Sequence, residues 1–177
     1  KTIDYCSNRP YAPKGIFLDQ AKDYWKTLIP DDEAQYDAEF SFLGNDIAPM
    51  VSWGNSPQWS VQIDEPIPEP RKERNPMIRA EMEAALHYMG LKPGSLMSSI
   101  PIDRVFIGAC TNSRIEDLRV AASVIKGHKA AVKTLIVPGS GLVKEQAEVE
   151  GLHKIFIEAG MEWREPGCSM CVAMNGD

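Results

Sequence analysis

Three of the four cysteines stand where thiolates could bind a metal or take part in redox chemistry. Cys168 and Cys171 form a Cys-x-x-Cys pair, and Cys110 lies in the short segment 108–113. A single Cys-x-x-Cys is compatible with half of a zinc site, with a dithiol redox pair or with an iron–sulfur cluster. A lone cysteine is more often a small buried side chain, which is the interpretation that we give to Cys6.

The sequence around these cysteines predicts short buried strands. Residues 104–108 and 134–137 are mostly apolar with β-branched side chains, and residues 161–163 form a third, shorter candidate. Helical patterns separate the strands, so we predict an α/β fold with a mainly parallel sheet and right-handed crossovers.

Two helical stretches connect the predicted strands. Residues 113–116 match a capping box with Ser113 at the start, and the helix is predicted to run to about Lys126. The second stretch covers residues 143–159 and has a break at Gly151. Residues 138–141 before it form a predicted tight loop. Within this loop, residues 139–141 resemble a phosphate-binding loop but lack the Lys-Ser/Thr ending of a P-loop.

All three cysteines follow predicted strands, and sites in open α/β sheets form beyond the carboxyl ends of strands. Neighbouring strands would bring the thiols of Cys110, Cys168 and Cys171 to one crevice. A cluster held by three thiolates leaves one iron without a protein ligand, and a catalytic metal needs such an open position. Thr111, Asn112 and Ser113 are candidates to surround the cofactor. The side chains of Thr111 and Asn112, together with backbone N–H groups at the helix start, are candidates to donate hydrogen bonds to its sulfides.

The first hundred residues have mixed character. Residues 17–28 predict an amphipathic helix, and residues 39–42 and 58–63 alternate as strands do. The proline-rich segment 64–72 is interpreted as a linker or an extended arm, and residues 75–90 predict a capped helix. We predict a boundary near residue 100, with residues 1–100 belonging to one region and 101–177 to the α/β domain that carries the cysteines.

Composition excludes several classes of function. The chain has 177 residues, 44% of them hydrophobic, and a net charge of −6. It has enough apolar residues for a core, no apolar run as long as a membrane span, and no basic stripe for nucleic acid. Few, unevenly spaced cysteines indicate a reducing compartment, and the cytoplasm is expected. Both termini resemble cut ends, so an internal piece of a longer protein is expected.

Two segments resemble the cluster signatures of the aconitase superfamily. Residues 105–118 (VFIGACTNSRIEDL) are similar to the first signature, and residues 166–175 (PGCSMCVAMN) to the second. Ser-Met between the cysteines is closer to the large-subunit family of 3-isopropylmalate dehydratases than to aconitases, which typically have Gly-Pro. Ala109 stands where many members have Ser. Other segments similar to that large-subunit family are residues 9–15, 24–28, 137–141 and 156–160.

The resemblance implies an aconitase-like three-layer α/β/α fold and a hydro-lyase of leucine biosynthesis. Such an enzyme isomerises 2-isopropylmalate to 3-isopropylmalate by dehydration and rehydration. A [4Fe-4S] cluster would be held by Cys110, Cys168 and Cys171, whereas Cys6 matches no family ligand. The implied partner is the family's small subunit, which carries the catalytic serine base. No acid–base residue of the family falls within this chain, so we assign it no catalytic residue and expect it to be inactive alone.

Two other readings stay open. Within the superfamily, an aconitase or homoaconitase type of hydro-lyase is an alternative, because substrate choice is mostly set in other parts of the enzyme. From another class, the chain could be a structural module that binds zinc or no metal through its thiols. An RNA-binding role, known for some cluster-free aconitase relatives, is disfavoured by the acidic charge balance.

Overall fold

The computed structural model describes residues 2–169 and residue 172. The described chain divides into two compact units between Ala48 and Pro49. No helix among the described residues is long and apolar enough to cross a membrane. The boundary predicted near residue 100 stays a prediction.

The first unit contains two helices, α1 (Thr2–Ser7) and α2 (Ile16–Lys26), which contact each other. Helix α2 confirms the helix predicted from the apolar spacing, but none of its residues is buried. Cys6 lies exposed on α1, so its interpretation as a buried side chain was wrong.

The strand predicted at residues 39–42 is absent, because these residues have no regular structure. Phe40 and Phe42 are 81% and 75% exposed, so their alternation with polar residues does not mark a buried face of a sheet. A strand needs a partner for its backbone groups, and the described residues contain none for this segment.

The second unit begins with an antiparallel hairpin of β1 (Met50–Ser52) and β2 (Ser60–Gln62), in which Val51 lies opposite Val61. Its loop carries Trp53 and Trp59, whose ring centroids are 5.3 Å apart. Helix α3 (Pro76–Met89) buries three side chains against this hairpin and completes a first hydrophobic cluster. The buried α3 residues are Met82, Ala85 and Leu86.

The proline-rich segment 64–72 packs into this first cluster. Ile67 is only 1% exposed. Its backbone N–H donates to the Ser95 carbonyl and its carbonyl accepts from the Gly94 N–H, both at 2.8 Å. Short 3-10 turns follow at Pro70–Lys72 and Met97–Ser99. Paired backbone groups and a buried side chain hold this segment in place.

Helix α3 has the two caps that the sequence predicts. The Asn75 side-chain oxygen accepts from the Met77 N–H at 2.9 Å, and Gly90 ends the helix in the left-handed conformation with φ 65°. Replacing Asn75 by Ala removes this acceptor. We expect Asn75→Ala to lower the free energy of unfolding by about 1 kcal/mol, measured by urea denaturation. Asn75→Asp keeps the acceptor and should cost a small fraction of this, and equal losses in the two variants would contradict the capping role.

The rest of the second unit is a three-stranded parallel sheet with helices between its strands. The strands are β3 (Arg104–Gly108), β4 (Lys133–Val137) and β5 (Glu162–Trp163), and β4 lies in the centre. Gly108 pairs with Val137, and Trp163 pairs with Ile136. This arrangement confirms the predicted α/β class with a parallel sheet.

Three helices cover one face of this sheet, namely α4 (Ile115–Ile125), α5 (Gly141–Val149) and α6 (Leu152–Glu158). The predicted break at Gly151 is confirmed, because this residue separates α5 from α6 with φ 75°. Right-handed crossovers between successive neighbouring strands put all connecting helices on the same side. The helices contact one another and form a second hydrophobic cluster with Ile107 and Ile136.

Candidate functional site

Three loops leave the carboxyl ends of the parallel strands at one edge of the sheet. Cys110 follows β3 by two residues, and Cys168 follows β5 by five. Both thiols are free and exposed. The Arg164 N–H donates to the Ile136 carbonyl at 3.0 Å, which continues the pairing of β5 with β4 into the loop that carries Cys168. Two of the three predicted ligands therefore lie on loops that leave the same edge of the sheet.

The third predicted ligand, Cys171, lies outside the described residues. Among residues 2–169 and 172, no group of three or more His, Cys, Asp or Glu side chains could hold a metal ion. Convergence of Cys110, Cys168 and Cys171 on one cofactor therefore stays a prediction.

Backbone strain is concentrated beside the cysteines. Within the described part of the chain, the non-glycine residues with positive φ are Ala109 at 115°, Ser113 at 73° and Ser169 at 42°. Each such residue costs of the order of 1–3 kcal/mol, and strain of this kind gathers at functional sites. All three residues lie within three positions of Cys110 or Cys168. The propensities of Ala and Ser contain no signal for this conformation, so the sequence did not predict it.

The loop after β4 contacts the loop after β3 through Gly139. Its N–H donates to the Ser113 carbonyl at 3.0 Å. A Cβ on Gly139 would lie 3.0 Å from that same oxygen and 3.3 Å from the Asn112 carbonyl oxygen. The loop that resembles a phosphate-binding loop therefore has a packing role, in which Gly139 permits close approach to the segment that follows Cys110.

A second glycine, Gly108, lets β3 lie close to β4. A Cβ at Gly108 would lie 2.7 Å from the Val137 Cβ and 2.8 Å from its carbonyl oxygen. Because real Cβ atoms do not come this near to a neighbour, this position needs glycine for strand packing, immediately before the segment that carries Cys110.

We expect Gly139→Ala to be destabilising, because the added Cβ would crowd the carbonyl oxygens of Ser113 and Asn112. Displacing residues 112–113 to make room would weaken the hydrogen bond from the Gly139 N–H to the Ser113 carbonyl. The loss should be about 1–3 kcal/mol in the free energy of unfolding, as for an overpacked site. Gly141→Ala is the matched control, since a Cβ there meets nothing within 4 Å. Gly141 is the first residue of α5, so this change should leave stability unchanged or raise it by about 0.4–1 kcal/mol. Equal losses in both variants, measured by denaturant titration, would refute the close-approach role.

The predicted capping box is wrong by one residue. Arg114 is the N-cap of α4, and its backbone N–H donates to the Asp117 carboxylate at 3.0 Å. Ser113, predicted to be the cap, lies one residue outside the helix in the left-handed conformation. Its hydroxyl is buried, and it has no hydrogen-bond partner among the described residues. Sequence alone could not distinguish two overlapping caps that differ by one position.

Of the other two residues predicted to surround the cofactor, Thr111 contacts a ligand candidate. Its hydroxyl oxygen lies 3.8 Å from the Cys110 sulfur, within reach of a weak hydrogen bond. Asn112 contributes its backbone carbonyl to the contact with Gly139. The role of these side chains toward a cofactor stays a prediction.

An ion pair ties the loop after β5 to helix α5. The Lys144 ammonium contacts the Glu165 carboxylate and also pairs with Glu148 at 3.7 Å. The hydrogen bond from Lys144 to Glu165 raises the pKa of Lys144 above its usual range. The Trp163 indole N–H donates to Glu148 at 3.0 Å and lowers the pKa of that carboxyl. These contacts, which the sequence analysis missed, connect the segment that leads to Cys168 with helix α5.

The chemistry of this edge fits an iron–sulfur cluster. Two exposed thiols follow strands of the same parallel sheet, and cysteine thiolates are the ligands such clusters use. Strained backbone flanks both thiols. The Ser113 hydroxyl is a further buried donor, and it has no hydrogen-bond partner among the described residues.

The fold and this edge define an α/β protein with a candidate thiolate-held metal centre. The whole chain, residues 1–177, matches the family model for the aconitase family (aconitate hydratase). The chain belongs to the aconitase family. Membership in this family implies hydro-lyase chemistry in the full-length enzyme, and the family generally binds a [4Fe-4S] cluster.

Proposed function

We propose that this chain is part of the large subunit of 3-isopropylmalate dehydratase. In this role it contributes the cluster ligands of an enzyme that converts 2-isopropylmalate to 3-isopropylmalate. The observation that carries the proposal is the exposure of Cys110 and Cys168 on two loops that leave one edge of a parallel sheet, each inside a cluster signature. Family membership supports the hydro-lyase class.

In the proposed reaction the residues of this chain hold the cofactor. The thiolates of Cys110, Cys168 and Cys171 would bind it, and Thr111 would contact the Cys110 sulfur. Gly139 keeps residues 112–113 against the neighbouring loop, and the Lys144–Glu165 pair connects the segment before Cys168 with helix α5. When bound, the cluster supplies a Lewis-acidic iron whose open position takes the substrate hydroxyl and carboxylate.

The choice of isopropylmalate over citrate or homocitrate rests on sequence. Ser169 and Met170 stand between the last two cysteines, where aconitases typically have Gly-Pro. Residues 9–15 and 24–28 are also similar to the dehydratase large subunit. The proposed partner is the small subunit, a separate chain that brings the serine base, and the proposed compartment is the cytoplasm.

The experiment compares substrates with the full-length large subunit, its small subunit and a reconstituted cluster. Steady-state kcat/KM would be measured for 2-isopropylmalate, citrate and homocitrate. The proposal expects 2-isopropylmalate to be preferred by at least tenfold, and the gene to restore growth of a leucine auxotroph. A preference for citrate or homocitrate would reassign the enzyme within the family. Zinc without sulfide in the purified protein would contradict the hydro-lyase proposal and indicate a structural module that binds zinc.

A further inference from the structure

Ser113 has a buried hydroxyl that no described residue satisfies. The residue is 2% exposed, and its Oγ has no hydrogen-bond partner in the described part of the chain. A buried hydroxyl without a partner lowers the stability of the folded chain, so such groups almost always have an acceptor or a water. The Ser113 hydroxyl therefore needs a hydrogen-bond acceptor, and the described residues provide none.

Capping does not use this hydroxyl. A serine just before a helix normally accepts from the N–H groups of the first turn. Here Arg114 occupies the cap position and the Asp117 carboxylate accepts its N–H. The Ser113 side chain therefore has no capping role, and it stands three residues after Cys110.

The backbone of Ser113 is fixed on two sides. Its carbonyl accepts from the Gly139 N–H at 3.0 Å, and its φ of 73° is unfavourable for a residue with a Cβ. The cap of helix α4 lies one residue later, at Arg114. A strained, buried and unsatisfied residue at the carboxyl edge of a sheet is typical of a position kept for ligand binding.

We propose that the Ser113 hydroxyl donates a hydrogen bond to a sulfur of the iron–sulfur centre, either a bridging sulfide or the Cys110 thiolate, and raises its reduction potential. This inference rests on the proposed cluster. Sulfur carries more negative charge in the reduced centre, so a hydrogen bond to it favours the reduced form. Cys110, three residues before Ser113 in the sequence, carries the candidate thiolate sulfur of this segment.

The first test measures the midpoint potential of the reconstituted cluster by redox titration. Ser113→Ala and Ser113→Gly both remove the hydroxyl, and each should shift the potential to a more negative value. Ser113→Asn keeps a donor and tolerates positive φ, so it should retain a potential nearer to wild type. Ser123→Ala is the matched control, because the Ser123 hydroxyl already donates to the Val120 carbonyl at 2.7 Å on α4. It should leave the potential unchanged.

The second test measures the thermal stability of the cluster-free chain, in which removal of the Ser113 hydroxyl should be stabilising. Without an acceptor, Ser113→Gly removes both the unsatisfied hydroxyl and the strain at φ 73°. The thermal midpoint of the cluster-free chain should therefore rise by a few degrees, whereas the gain in midpoint on cluster loading should be smaller than in wild type. A variant that only damaged the fold would instead lower the thermal midpoint of the cluster-free chain.

The outcomes separate this inference from the proposed function. A wild-type protein that binds no iron and sulfide would overturn both. If the wild type binds its cluster but Ser113→Ala and Ser113→Gly have the wild-type potential, this inference alone would be overturned. Water would then be the hydrogen-bond partner of the Ser113 hydroxyl. An equal shift in Ser123→Ala would also overturn it, since the effect would then not depend on Ser113.

Discussion

Replacement of Cys168 by Ser in the cluster-loaded enzyme is expected to reduce hydro-lyase activity to below about one hundredth of wild type. Residues that only orient metal ligands cost about 10–100-fold when changed, so loss of a ligand should exceed that range. Cys168 is exposed on the loop after β5, which leaves the same edge of the sheet as the loop that carries Cys110. The visible absorbance of the cluster should fall with the activity, and both would be measured after anaerobic reconstitution.

The matched control for this prediction is Cys6→Ser. Cys6 is also a free, exposed thiol, but it lies on α1 in the first unit and matches no family ligand. We expect this variant to keep wild-type absorbance and activity. Full activity in Cys168→Ser, or an equal loss in Cys6→Ser, would show that exposure of a thiol was mistaken for ligation.

The second large effect concerns the core that supports the site. Phe156 is 0% exposed on α6, and its ring stacks on that of Trp163 with centroids 6.0 Å apart. Trp163 belongs to β5, the strand that leads to Cys168. Phe156→Ala leaves a cavity between helix and sheet and should cost about 3–5 kcal/mol in the free energy of unfolding. For a chain of this size the thermal midpoint would fall by roughly 10 °C, measured by circular dichroism.

Ile157→Ala on the same helix separates packing from helix propensity. Ile157 is 54% exposed, so its truncation removes few contacts and should change the free energy of unfolding by no more than about 0.5 kcal/mol. Similar losses in the two variants would mean that Phe156 does not anchor α6 to the sheet, and the account of how β5 is held would fail.

Much of the fold followed from periodicity and end signals. The apolar run at Arg104–Gly108 and the helical spacing after it predicted β3 and α4, because buried parallel strands and amphipathic helices have distinct repeats. Asn75 and Gly90 predicted the ends of α3, since capping depends on a few local residues.

The errors came where long-range contacts decide the local structure. Alternation at residues 39–42 has the period of a strand, but a strand exists only with a partner. Ser113 has the residue type of a cap, yet Gly139 binds its carbonyl and the helix begins one residue later. The role of Gly139 itself depends on the spatial approach of two loops that lie 25 or more residues apart in sequence, which no local pattern encodes.

The most direct measurement of the central claim counts iron and acid-labile sulfide per chain after anaerobic reconstitution, in wild type and in Cys110→Ser. We predict about four of each in wild type and a large loss in the variant, because Cys110 is one of three thiolate ligands. Equal iron and sulfide in the two proteins would contradict the assignment of Cys110 as a ligand at the carboxyl edge of the sheet.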